Sequence, residues 1–217
     1  MENSAPDKGQ EINFDDLRAA PRFALLIRSA KLICDKGEYL CIVRDVSATG
    51  VRLRLFHPLP AQDQIVLELA TGERFPIEPV WEREDHAGFR FVGDIDVQRF
   101  INEKGAYQKR PLRLSIRFPA TVQVGEQSVD ITICNLSREG ARIESDHLFA
   151  RGQKLKIQAR GLPTLMGIVR WRRAPDYGIV FQQLFTFEEL ARLATTLQPI
   201  AGAPTGPATK LIGTRCA

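Results

Sequence analysis

The chain repeats itself. Ser47 and Ser137 stand 90 residues apart, as do Gly50 and Gly140, Arg52 and Arg142, and His57 and His147. The same shift carries Trp81 onto Trp171, Arg83 onto Arg173, Gly88 onto Gly178 and Phe91 onto Phe181. Trp81 and Trp171 are the chain's two tryptophans, so their meeting under one shift is hard to obtain by chance. A period of this length limits the fold to two small domains, each with a core of its own.

Within each copy the hydrophobic period is two, the mark of half-buried strands. Val51-Arg52-Leu53-Arg54-Leu55 follows Gly50, and Ala141-Arg142-Ile143-Glu144 follows Gly140. Ile65 to Leu69 and Leu155 to Ala159 occupy matching places. Short strands between Gly, Pro, Asp and Asn turns predict an all-β chain with short helices: two tandem antiparallel β-barrels, each closed or nearly closed. Each barrel is expected to be followed by a C-terminal helix. Thr186-Phe187-Glu188-Glu189 reads as a capping box ahead of Leu190, Ala191, Leu193 and Leu197, and Asp96 can cap Val97 to Lys104. Trp81 and Trp171, at the ends of strand-like runs where a large ring can plug a barrel mouth, are expected to pack in the core. The organisation that follows is a disordered N-terminus over 1–13, a first domain over 14–106, a second over 107–200, and a disordered Pro/Gly-rich tail over 201–217.

Composition is that of a soluble globular protein, 44% hydrophobic and 26% charged, with a net charge of +4 that suits an anionic partner. The first 13 residues lack the apolar core of a signal peptide, and no run approaches the ~20 apolar residues of a membrane span. A cytoplasmic location without a membrane span is expected. Cys34, Cys41, Cys134 and Cys216 show no C-x-x-C spacing, which predicts reduced thiols and no metal site. His57 and His147 recur without ligand clusters around them and are read as structural.

Two constellations carry chemistry. Arg18-Ala19-Ala20-Pro21-Arg22 precedes Asp45-Val46-Ser47-Ala48-Thr49-Gly50; Lys109-Arg110-Pro111-Leu112-Arg113 precedes Asn135-Leu136-Ser137-Arg138-Glu139-Gly140. Arg22 lies 23 residues before Asp45, and Arg113 lies 22 before Asn135. An RxxxR stretch, then [D/N]xSxxG, then a tryptophan and a Gly-x-x-Phe strand resembles the PilZ domain, over about residues 17–105 and again over 108–198. The resemblance implies barrels of the split, Greek-key kind and a receptor for cyclic di-GMP, with no other cofactor. It further implies that nucleotide binding changes the conformation and signals to a protein partner, whose identity the sequence leaves open. Arginine suits that ligand, because its planar fork bonds guanine O6 and N7, stacks on a purine or clamps a phosphodiester.

The implied ligand residues are Arg18, Arg22, Asp45, Ser47 and Gly50 in the first copy. In the second they are Lys109, Arg110, Arg113, Asn135, Ser137 and Gly140. Asp45 or Asn135 can accept hydrogen bonds from guanine or fix a turn; taken alone, the Asp-x-Ser-x-x-Gly run is simply a tight turn. The second copy departs from the pattern, since lysine stands at the first arginine position and cannot form the bidentate fork. A shifted register, Arg113 to Arg117, would shorten the spacing to Asn135 to 18 residues and break agreement with the first copy. No nucleophile elbow, Walker loop or HExxH motif is present, so no enzymatic activity is expected. Two other functions compete with the receptor: an adaptor of the same fold that binds proteins and no nucleotide, and a basic nucleic-acid-binding module. The intact first motif disfavours the adaptor, and the shortage of aromatic residues among the basic ones disfavours nucleic acid.

Overall fold

A computed structural model describes residues 23–59, 64–102 and 111–198. The first copy folds as β1 (Phe23–Cys34), β2 (Gly37–Val46), β3 (Gly50–Arg54), β4 (Ile65–Leu69), β5 (Arg74–Arg83) and β6 (His86–Phe91), then α1 (Val97–Asn102). These strands close into an antiparallel barrel in the order β1-β2-β3-β6-β5-β4. The second copy repeats it with β7 (Arg113–Leu114), β8 (Phe118–Val124), β9 (Gln127–Ser137), β10 (Gly140–Glu144), β11 (Lys154–Gln158), β12 (Leu165–Arg173), β13 (Asp176–Phe181) and α2 (Phe187–Leu197). There the β10–β9 pairing closes six strands, and β7 lies beside the end of β9.

Alternation builds each core. On β3, Val51 and Leu53 point inward and are buried, while Arg52 and Arg54 stay partly exposed. Leu32, Leu67, Ile77 and Phe89 join them from the other strands. Phe100 of α1 closes this barrel fully buried, against the rings of Phe75 and Phe91. Asp96 caps α1, its Oδ1 accepting from the amides of Gln98 and Arg99 at 2.9 and 3.1 Å. At α2 the capping box is complete, with Thr186 Oγ1 accepting from the Glu189 amide and Glu189 accepting from the Thr186 amide.

The tryptophans are not core residues. Trp81 is 37% exposed and Trp171 41%, both on the outer faces of the barrels. Strict alternation from the buried Ile77 and Val169 would turn both rings inward. A bulge between Pro79 and Trp81, and another between Val169 and Trp171, inserts one extra residue and reverses the face. Each indole then lies over a glycine on the next strand, Gly88 or Gly178, where a β-carbon would collide with the ring.

The copies meet through β2 of the first barrel and both ends of the second. Leu40 of β2 is fully buried in the second copy's core cluster, and Phe56 packs edge-on against Phe187 of α2 with centroids 5.8 Å apart. Gln198 binds both backbone groups of Glu38, accepting from its amide at 2.6 Å and donating to its carbonyl at 2.9 Å. Lys31 is 5% exposed. Its ammonium contacts Glu38 at 3.0 Å, Glu68 at 3.1 Å and the Arg113 carbonyl at 3.1 Å. Glu38 also accepts from the Ser115 amide at 2.7 Å. The counterpart face on the second barrel is open. Pro119, Asp130, Asp146 and Arg160, at the positions of Ser29, Leu40, Phe56 and Ala70, line a cavity of about 750 Å³.

Candidate functional site

The Asp-x-Ser-x-x-Gly run forms the tight connection between β2 and β3. The Ser47 amide donates to the Gly50 carbonyl at 2.8 Å, and Ser47 Oγ accepts from the Gly50 amide at 3.1 Å. Ser137 Oγ likewise donates to the Gly140 carbonyl at 3.0 Å. Both serines are buried, so their hydroxyls shape the turn. Glycine is required there because β6 approaches closely: a β-carbon at Gly50 would lie 2.8 Å from the Phe89 carbonyl, and one at Gly140 would collide with that of Ile179.

Two rows of outward side chains cross the first barrel beside this turn. The ladder pairs Asp45 with Arg52, Arg52 with Gly88, and Gly88 with Trp81. The next row pairs Gly50 with Arg90, and Arg90 with Glu78. Arg52 Nε approaches Asp45 Oδ2 at 2.5 Å, with Asp45 7% and Arg52 43% exposed at the side chain. Arg90 pairs with Glu78 at 2.5 Å and is 67% exposed. Asp45, Ser47, Gly50, Arg52, Trp81 and Arg90 all border one open pocket of about 240 Å³. The site offers a carboxylate, two guanidinium groups and an aromatic surface within one shallow recess. Such a set can hold a planar base and an anionic diester together.

The second barrel keeps the first row and changes the second. Asn135, Arg142, Gly178 and Trp171 repeat the pairing. Arg142 now turns to Asp176 at 3.3 Å, and Asn135 Oδ1 accepts from the Arg142 amide at 3.1 Å. In the next row Gly140 pairs with Val180, and Val180 with Ile168. Arg113 and Asn135 border a different cavity, of about 570 Å³, shared with Lys31, Glu38, Glu68 and Arg74 of the first barrel. Phe23 pairs with Val46, and Leu114 pairs with Leu136, the counterpart of Val46. Arg113 therefore precedes Leu114 as Arg22 precedes Phe23, while Arg117 is tied to Glu144 at 2.7 Å. Arg18, Arg22, Lys109 and Arg110 lie outside the described residues.

A family model described as the PilZ domain matches this chain twice, over residues 16–103 and 107–195. The chain belongs to the PilZ domain family. No curated protein matches it. Solved structures similar to it include Borreliella burgdorferi PlzA in complex with c-di-GMP, at 11% identity and a TM-score of 0.34, covering 79% of this chain and 87% of that one. The Bacillus subtilis inhibitor of motility MotI/DgrA is 11% identical with a TM-score of 0.33, covering 79% and 95%. Escherichia coli YcgR in complex with c-di-GMP is 12% identical with a TM-score of 0.29, covering 78% and 81%.

Of the residues that border this recess, the sequence motifs pointed to Asp45, Ser47 and Gly50, left out Arg90 and gave Trp81 a core role. Arg90 was findable as the polar residue of Gly88-Phe89-Arg90-Phe91, whose alternation turns it outward. Among the described residues no cluster of His, Cys, Asp and Glu could hold a metal ion, and no helix is long and apolar enough to cross a membrane.

Proposed function

We propose that this protein is a cyclic di-GMP receptor whose ligand sits on the outer face of the first barrel. The reading rests on family membership and, above all, on the convergence of Asp45, Ser47, Gly50, Arg52 and Trp81 around one recess. In it, Arg18 and Arg22 close over the nucleotide with their planar forks, Asp45 accepts from a guanine edge, and the Trp81 indole supplies a stacking surface. The upstream segment changes conformation as it closes, and the liganded form signals to a protein partner. The second copy, with Lys109 in the first arginine position, binds the nucleotide more weakly. Met166, Trp171 and Val180 are 40%, 41% and 46% exposed there, which favours a partner-facing role for that barrel.

Titration calorimetry of the full chain with cyclic di-GMP, beside GTP as control, tests the proposal. Micromolar or tighter binding is expected, roughly −8 kcal/mol or better. Arg22→Ala removes a charge-assisted fork and should weaken binding by about 1.5–3 kcal/mol. Absence of heat with the unmodified chain overturns the proposal, and unchanged affinity in Arg22→Ala removes the arginine clamp from it.

A further inference from the structure

We infer that Arg90 selects the first barrel over the second as the nucleotide-binding copy. The inference rests on the reading of the first-barrel recess as a ligand site. It adds a contact from the barrel wall, outside the two motifs.

Both barrels keep a tryptophan over a glycine and an arginine on the neighbouring strand, so the first row of the outward face is nearly the same in each. The second row keeps its glycine and exchanges two charged residues for two apolar ones. It reads Gly50, Arg90, Glu78 in the first barrel and Gly140, Val180, Ile168 in the second. Arg90 lies two residues beyond Gly88 on β6, on the same face as the indole and about 7 Å along the strand. Its cross-strand neighbour Gly50 has no side chain, so the guanidinium stem borders the motif turn directly. Arg90 and Arg52 thus stand around Trp81, both bordering the recess. A planar cation at that place can clamp a phosphodiester or take a guanine edge bidentately while the base lies on the indole. Val180 can do neither.

Glu78 pairs with Arg90 across the strands. With Arg90 67% and Glu78 47% exposed, this ion pair contributes little to stability and is readily exchanged for a ligand anion. The pairing also supplies the control. Arg90→Val and Glu78→Gln both break the ion pair, but only the first removes the fork.

The experiment is calorimetry of the full chain with cyclic di-GMP, comparing the unmodified protein with Asp45→Ala, Arg90→Val, Arg90→Lys and Glu78→Gln. Circular dichroism checks that each is folded. Arg90→Val is expected to weaken the tighter site by on the order of tenfold to a hundredfold, and Arg90→Lys to recover only part of the loss. Glu78→Gln is expected to keep or tighten affinity. Val180→Arg is expected to raise affinity at the second barrel. Equal losses from Arg90→Val and Glu78→Gln would make Arg90 a structural partner of Glu78 and overturn the inference. So would unchanged affinity in a folded Arg90→Val alongside a loss in Asp45→Ala, which leaves the receptor reading standing. No binding by the unmodified chain overturns both.

Discussion

Lys31→Met takes the ammonium out of a place where two carboxylates converge. Glu38 and Glu68 have side chains only 15% and 14% exposed, and Lys31 stands 3.0 and 3.1 Å from them. Methionine fills the volume but leaves two like charges side by side, away from water. Removing one partner of a buried ion pair costs about 3–5 kcal/mol. Here the lower end applies, because Arg74 still pairs with Glu68 at 2.7 Å and the Ser115 amide still donates to Glu38. The variant should therefore lose about 3 kcal/mol, or roughly 6–12 °C in Tm for a unit of this size. The loss should reach the second barrel too, since Lys31 also bonds the Arg113 carbonyl across the copies. Urea titration with tryptophan fluorescence reads both, each barrel carrying one indole. Lys31→Met combined with Glu38→Gln and Glu68→Gln should recover most of the loss by removing the stranded charges. A destabilisation of Lys31→Met below about 1 kcal/mol would mean that the cluster is a solvated surface network and not a buried one.

Phe100→Ala should empty the closed end of the first barrel and cost about 3–5 kcal/mol in urea titration, as a fully buried aromatic does. Acidification should also destabilise the chain. Burial lowers the affinity of His57 for a proton; Nδ1 lies 2.7 Å from the Pro58 carbonyl, and Nε2 is buried without a partner among the described residues. The unfolded chain therefore takes up the proton first, so stability falls as the pH drops through and below the ordinary histidine range near ~6.5. Tm measured between pH 7.5 and 5.5 should decline, and His57→Gln should flatten part of that slope; an unaltered slope would show that the ring is solvated.

Much of this architecture was legible because it depends on local pattern. The landmarks from Ser47 to Phe91 recur in register, and α2 announces itself through Thr186 and Glu189, whose reciprocal bonds lie within one turn of chain. The orientation of Trp81 and Trp171 was not legible. A single inserted residue at each bulge reverses a face, and nothing in a period-two pattern marks where it falls. The site was half legible for a similar reason. Asp45, Ser47 and Gly50 lie within six residues of one another, whereas Trp81 and Arg90 reach the recess only through pairing across three strands. Nothing local to Leu40 in the sequence sets it apart from its strand neighbours. Its burial in the other copy's core depends on how two folded domains dock.

That docking is head-to-tail: a face of the first barrel receives the helix of the second, and the second barrel bears the same face in turn. Contacts of this kind repeat, and a chain of identical copies would grow into a ring or a filament. Here growth stops after one step. Leu40 and Phe56, which meet the incoming helix, are answered in the second barrel by Asp130 and Asp146, and another helix like α2 could cover those carboxylates only by stripping their water without pairing them. The second barrel thus bears carboxylates where the first bears an apolar seat for a helix.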